Sequence, residues 1–392
     1  MLPLLYMTAA PGWGAGSSAV TLFLCGDVMT GRGIDQVLPH PGDPTLHEPY
    51  VRDARGYVEI AERSSGPIPS PVDFSYPWGD ALQELSRVNP DLRIVNLETS
   101  ITTSSEFWPG KGIHYRMHPG NVGCLAAAGI HACSLANNHV LDWGYTGLVE
   151  TMDTLRSTGI RFAGAGMNRR EAEAAVAWEI REKARVVLYA LCDASSGVPH
   201  GWAAGEDTPG VNLVPGFSGR AVREVSEQLR SAGRPGDIVV VSVHWGSNWG
   251  YEIPRAHRDF AHRLIDQAGV DVVHGHSSHH ARPLEVYRGK LILYGCGDFI
   301  NDYEGIRGQK AYRGDLAVMY FPRIDPATGN LIELRMVPLR RARFRLQRAS
   351  GEDAAWLRDT LNRHNAACGA ARVILEGRSS LYVRPSSYPH FS

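Results

Sequence analysis

Four histidines fall within the seven residues HGHSSHH: His274, His276, His279 and His280, directly after the apolar run VDVV. Imidazole at that density is a metal-type pattern. Other strand-like runs also end in residues that a core does not want. Asp27 follows LFLCG, Asn96 and Glu98 close RIVNLE, Asn138 and His139 follow CSLAN, and His244 follows VVVSV. Taken singly, each has an ordinary reading, such as a turn cap, a solvated strand end or a satisfied core histidine. Together they supply two carboxylates, an amide oxygen and several imidazoles, with no thiolate. That set suits Mn, Zn, Fe, Co or Ni better than an all-oxygen Ca or Mg cage. It also suits two ions, because a carboxylate such as Glu98 can bridge metals about 3.5–4 Å apart, which activates a water and clamps a phosphoryl group. The chemistry expected of such a site is metal-dependent, in-line hydrolysis of a phosphate mono- or diester.

These residues converge only if the elements before them are parallel strands. The runs AVTLFLCGD, DLRIVNLET, HACSLANN, ARVVLYALCD, DIVVVSVHWG, VDVVHGH and KLILYGCGDF each have the length of a buried strand. Helical patterns alternate with them: YPWGDALQELSRV, NVGCLAAAG, GYTGLVETMDTLRSTG, SGRAVREVSEQLRSAG and PRAHRDFAHRLIDQAG. Strand followed by helix, repeated, predicts an α/β fold, in which ligands bind beyond the carboxyl ends of the strands. Residues 40–73, rich in Pro, Gly and charge, and residues 195–219 are expected to be loop excursions, the first a surface segment or lid. His40, His47 and His200 within them read as surface histidines rather than ligands. Residues 323–392 hold a hairpin turning at DPATGN and an amphipathic helix in EDAAWLRDTLNRHNAACG, expected as a C-terminal cap. Residues 1–19 read as a leader, and 20–322 as the main domain.

The totals bound the partners. The chain has 392 residues, 40 basic and 41 acidic, for a formal net charge of -1. No basic excess points to nucleic acid, and the expected substrate is a small molecule or an anionic oligomer. Six scattered cysteines without CxxC spacing read as small core residues. Lack of a disulfide framework favours a reducing, cytoplasmic compartment, with an exported form as the alternative. No window has the roughly 20 uncharged apolar residues that a spanning helix needs, and the N-terminus lacks the basic start of a signal peptide. A soluble protein is expected. Its oligomeric state is not legible.

In order, GDVMTGRG, NLETSIT, SLANNHVLDWG, TLRSTGIRFAGAG, HWGSNW, GHSSHH and LILYGCGDFIND resemble the CapA family of capsule or poly-γ-glutamate synthesis proteins, within the calcineurin-like metallophosphoesterase superfamily. The resemblance runs from about Val20 to Asn301. It implies a four-layer αββα sandwich, two β-sheets flanked by helices, with the site at one edge. It implies metal ligation by Asp27, Glu98, Asn138, His244, His276 and His279, and a general acid or transition-state hydrogen-bond donor at His139. Arg32 becomes the candidate clamp for a phosphate or carboxylate. His274, His280 and Asp298 are candidates for the substrate-facing wall. Met29 stands where the wider superfamily usually has His, Glu98 where it more often has Asp, and Asp298 where CapA-like sequences commonly have Asn. The implied cofactors are two divalent transition metals of the Mn, Zn or Fe type. The resemblance also raises a second function, an accessory or binding component of polyglutamate-type polymer synthesis, and a third, hydrolysis or formation of a γ-glutamyl-type amide at the same metals. Within LANNHVLDWG, Asn137 is expected to hold the turn while Asn138 faces the metal.

Overall fold

The structure is a computed structural model that describes residues 19–306, 308–366 and 372–385. All but the last residue of the expected leader, Cys368 and the last residues of the C-terminal segment lie outside the described residues.

The α/β expectation holds, as a four-layer αββα sandwich. One sheet is centred on Val20–Val28, which pairs in parallel with Leu92–Leu97; that strand pairs with Ala132–Ser134, and that in turn with Arg161–Ala163. The second sheet runs in parallel through Ala184–Asp193, Ile238–His244, Val272–His276 and Lys290–Leu293. Parallel strands buried on both faces need apolar side chains on both, which is why these runs are nearly continuous Val, Leu and Ile.

The period-2 alternation of the second sheet decides where its polar residues point. Val187, Tyr189, Leu191, Val241, Val243 and Val273 pack with Val222, Val225 and Leu229 of helix Gly219–Ala232 and with Phe260, Ala261 and Leu264 of helix Arg255–Ala268. Their alternates Val186, Leu188, Ala190, Ile238, Val240 and Val272 join the core shared with the first sheet. Ser242, His244, His274 and His276 continue that second series, so they face the gap between the sheets. The apolar series turns polar only as the strands approach their carboxyl ends.

Gly26 lets the first strand close on the loop before Asp298: a Cβ there would lie 1.6 Å from the Gly297 carbonyl oxygen. This approach allows Asp298–Ile300 to pair in parallel with the first strand and sets Asp298 opposite Asp27.

Two expectations are revised by packing. Residues 323–392 do not form a separate cap. Strand Leu316–Ile324 crosses the expected boundary, pairs antiparallel with Val20–Val28, and brings Leu331–Ala342 into the same sheet. Helix Gly351–Asn365 then docks through Leu357 and Leu361, started by a capping box of Ser350 and Asp353.

Residues 40–73 are likewise more than a surface lid, because helix Arg55–Ser65 buries Tyr57 and Ala61. Its anchor is electrostatic. Arg32 donates to Asp302 at 2.5 and 3.0 Å and to Glu48 at 3.0 and 3.2 Å, and Tyr57 donates to Glu48. The Arg32 guanidinium carbon lies 3.9 Å from the Tyr57 ring centre and 4.4 Å from that of Tyr115. Apolar periodicity could not reveal a segment pinned by a buried ion pair. Tyr57→Phe removes one of these bonds, and is expected to cost about 1 kcal/mol. Faster proteolysis within residues 55–65 would report it, with the rest of the chain unaffected.

The five cysteines among the described residues, Cys25, Cys124, Cys133, Cys192 and Cys296, are free and buried, as a core role predicts. His40, His47 and His200 are exposed. Among the described residues no helix is long and apolar enough to cross a membrane.

Candidate metal centre

The strand ends converge. His244 and His276 are the last residues of neighbouring parallel strands and are paired in register, so their rings meet. Their Nδ1 atoms are 2.7 Å apart. Asp27 approaches from the first sheet, with Oδ1 4.0 Å from His276 Nδ1, and all three residues are buried. Asp27, His244 and His276 offer ligand atoms within 4.8 Å of one another.

Glu98 and Asn138 adjoin this trio. Asn96 donates from one amide nitrogen to Asp27 at 2.8 Å and to Glu98 at 3.1 Å, bridging the two carboxylates. Glu98 Oε1 lies 3.9 Å from Nε2 of both His244 and His139. His244 Nε2 donates to Asn138 Oδ1 at 3.0 Å. Asn137 turns away as expected: its side-chain oxygen accepts from the backbone N–H groups of His139 and Val140 at 3.1 and 3.0 Å.

The Cys25 carbonyl can only accept, so His274 Nε2, 2.7 Å away, carries a proton. A neutral His274 therefore has a bare Nδ1, which must accept from Ser242 Oγ at 3.2 Å. With its one proton used, the hydroxyl accepts from His276 Nε2 at 2.8 Å, leaving His276 Nδ1 bare. His244 donates from Nε2 to Asn138, so its Nδ1 is bare too. Two imidazole lone pairs thus face each other across 2.7 Å beside a carboxylate, a repulsive contact that a cation seated beside both nitrogens would relieve. Burial lowers both histidines well below their usual range, so a proton is a poor occupant. The donor set of two neutral imidazoles and a carboxylate fits a divalent transition metal, and Glu98 and Asn138 are close enough to extend it.

Burial, and next the charge of Asp298, pushes Asp27 up from 3.8 to about 7 in the metal-free protein. Glu98 is raised well above its usual value by burial and then by Asp27. The native state therefore binds a proton at Asp27 that the unfolded chain releases near 3.8. By linkage this stabilisation is full below the unfolded value and is lost as pH rises toward and through about 7. The buried histidines, held below their usual range, act in the opposite sense, so the carboxyl's share is expected as a smaller gain in melting temperature from pH 5 to pH 8 in metal-free protein than in its Asp27→Asn variant. A cation that replaces the proton should remove the loss carried by Asp27, and melting curves with and without Zn2+ or Mn2+ would check it.

The other expected site residues are placed differently. His279 Nδ1 donates to Asp298 Oδ1 at 2.8 Å, and Asn248 donates to its Nε2 at 2.9 Å, so both ring nitrogens are engaged away from the trio. Burial works to raise Asp298, yet its contact with His279 holds it below the usual range, and His279 is raised in return against its own burial. His280 accepts from Gly250 N–H at 3.2 Å and packs among Trp249, Tyr251 and Tyr312. His274 lies between the sheets, behind His276, rather than in a substrate-facing wall. Arg32 is no open clamp, because Glu48 and Asp302 take up its guanidinium. Met29 is buried and its sulfur meets the Tyr303 hydroxyl at 3.7 Å.

His139 directs its Nε2 toward Glu98, beside the trio. Its Nδ1 donates to Asp142 Oδ2 at 2.6 Å. Asp142 also accepts from Lys111 Nζ at 2.5 Å and from the Tyr115 N–H at 2.7 Å. Burial opposes ionisation of Asp142, but His139 and Lys111 outweigh it and hold the carboxyl below its usual range. Burial brings His139 down to about 4. The neutral ring, with its proton held at Nδ1 by Asp142, presents a bare Nε2, so at neutral pH it is poised to accept a proton before it can donate one.

Lys111, Asp142 and Ser242 were not singled out by sequence. Asp142 carried a signal, three residues after His139 in the same turn. Lys111, in the glycine-flanked WPGKG, and Ser242, within a valine-rich strand, carried none without the third dimension.

The bacterial capsule synthesis protein family PGA_cap matches residues 21–303. A probable polyglutamine synthesis accessory protein of Mycobacterium tuberculosis (strain H37Rv) is 51% identical over 369 residues, covering 94% of this chain and 97% of that protein. The PGA biosynthesis protein CapA of Bacillus subtilis is 26% identical over 71% of this chain and 62% of its own length. The capsule biosynthesis protein CapA of Bacillus anthracis is 25% identical over 72% and 60% respectively. Strand ends that gather Asp27, His244 and His276, on a sandwich spanning the matched region, are thus found in a chain that belongs to the bacterial capsule synthesis protein (PGA_cap) family.

Proposed function

We propose that this chain is an accessory enzyme of polyglutamate-type polymer synthesis, and that it hydrolyses a γ-glutamyl-type amide at a divalent metal held by Asp27, His244 and His276, with Glu98 and Asn138 beside them. The observation that carries the pathway is the near full-length similarity to a probable polyglutamine synthesis accessory protein. The pairing of the nearby cations supports an amide over a phosphate ester. Arg32 and Lys111 are already paired with carboxylates, so neither is free to clamp a phosphate.

A bound metal would supply Lewis acidity, polarising the carbonyl and making a water more acidic. This chain's residues would do the proton work. His139 Nε2 takes a proton from the attacking water as the water oxygen bonds to the carbonyl carbon. Asp142 stabilises the resulting imidazolium through Nδ1–H, and Lys111 keeps Asp142 ionised. His139 then returns the proton to the amine as the C–N bond breaks, so amide and water become carboxylic acid and amine.

The test incubates Zn2+- or Mn2+-loaded protein with γ-linked glutamyl oligomers and, separately, with p-nitrophenyl phosphate and bis-p-nitrophenyl phosphate. Metal-dependent appearance of new amino termini is expected, with the phosphate esters untouched. Release of p-nitrophenolate with intact oligomers would return the phosphoesterase reading. Binding of oligomer without cleavage would make the chain a holding component instead.

A further inference from the structure

The relay behind His276 belongs to neither the ligands nor the proton-transfer pair. We propose that Ser242 and His274 are positioning residues that lock His276 in the tautomer protonated at Nε2, so that His276 presents Nδ1 to the metal. The inference rests on the metal-site reading above and adds the means by which the fold orients one ligand.

Three observations carry it. Ser242 and His274 are opposed in register on neighbouring strands, one alternation inward from the His244 and His276 pair, so the pleat itself stacks the relay behind the ligands. Both are fully buried, which shields their hydrogen bonds from bulk solvent. The direction of the relay is fixed at its far end by the opposite sheet. The Cys25 carbonyl accepts from His274 Nε2, and each later proton position follows from it, through Ser242, to a bare His276 Nδ1. Partners of this kind fix both tautomer and ring orientation of metal-bound histidines. Two consecutive strand ends explain why His276 binds metal; only the gap between the sheets explains which nitrogen it uses.

The test uses the full chain, uniformly labelled with 15N-histidine and loaded with diamagnetic Zn2+. Two-bond proton–nitrogen spectra are expected to show His276 with a protonated Nε2 and a metal-shifted Nδ1. Ser242→Ala leaves His276 Nε2–H without an acceptor and is expected to weaken Zn2+ binding by about 10–100-fold in calorimetric titration. Ser242→Thr restores the hydroxyl and should recover most of that loss, which a general packing defect at the position would not permit. His274→Phe removes the acceptor of the serine proton, frees the hydroxyl to donate to His276 Nε2, and should move the His276 proton to Nδ1 in metal-free protein. A wild-type spectrum with metal on His276 Nε2 overturns the relay, even if Ser242→Ala fails to fold. So does Ser242→Ala that binds Zn2+ as tightly as the parent. A wild-type chain that binds no Zn2+ overturns the metal site itself, and the relay with it.

Discussion

His139→Ala is expected to lower metal-dependent turnover of a γ-linked glutamyl oligomer by about 10²–10⁴-fold, the range for a lost proton-transfer group. Metal content, measured by elemental analysis, should stay close to that of the parent. The two readouts separate because His139 Nε2 stands 3.9 Å from Glu98 and the ring lies outside the trio of Asp27, His244 and His276. A variant that loses metal along with activity would make His139 a ligand instead. Asp142→Asn makes a sharper version of the same test. It preserves shape but can no longer hold the proton on Nδ1 as a carboxylate does, so turnover should fall while metal binding remains. Lys111, which touches both Asp142 and the Asn138 carbonyl, should show a smaller loss of the same kind.

Asp27→Asn produces the opposite pattern, in which metal occupancy falls first and activity follows. Asp27 is the carboxylate of the trio, and its charge is what a divalent ion would offset in a fully buried position. Its loss should weaken Zn2+ or Mn2+ binding by more than the about 10–100-fold typical of an outer partner. The same substitution removes a carboxyl whose raised proton affinity opposes the pH response of the buried histidines in metal-free protein. The metal-free variant should therefore gain more melting temperature than the parent between pH 5 and pH 8. If Asp27→Asn retains stoichiometric metal, the strand-end cluster is not the metal centre. His244→Ala should behave as Asp27→Asn does in metal titration, whereas His279→Ala, whose ring is tied to Asp298 and Asn248, should retain most of the metal.

The histidines of the candidate site divide between those placed by local pattern and those placed by packing. His244 and His276 were legible because a histidine at the end of a valine-rich run must lie at a strand end, and parallel strand ends share one edge of the sheet. The resemblance pairs His279 with His276 as metal ligands and sets His274 in the substrate-facing wall, although all three fall in one motif. Strand alternation sends His274 to the same inter-sheet face but one layer deeper, and the chain leaves the strand before His279. Arg32 seemed an open guanidinium in a glycine-rich turn. Its carboxylate partners, Glu48 and Asp302, are 16 and 270 positions away, beyond any local pattern.

The sequence by itself determined the α/β alternation, the strands that end in polar residues and the family to which the chain belongs. It did so because the hydrophobic period and the residue types at strand ends are local properties. Tertiary structure decided the rest: that the C-terminal hairpin completes the first sheet, that Lys111 meets Asp142, and that a serine, a histidine and a carbonyl from two sheets fix the His276 proton. Those outcomes depend on which face of one sheet lies against another. The physical reason is that hydrogen-bond direction is settled by the partner with no choice, here the Cys25 carbonyl, and that partner lies 249 positions from His274 and on the opposite sheet.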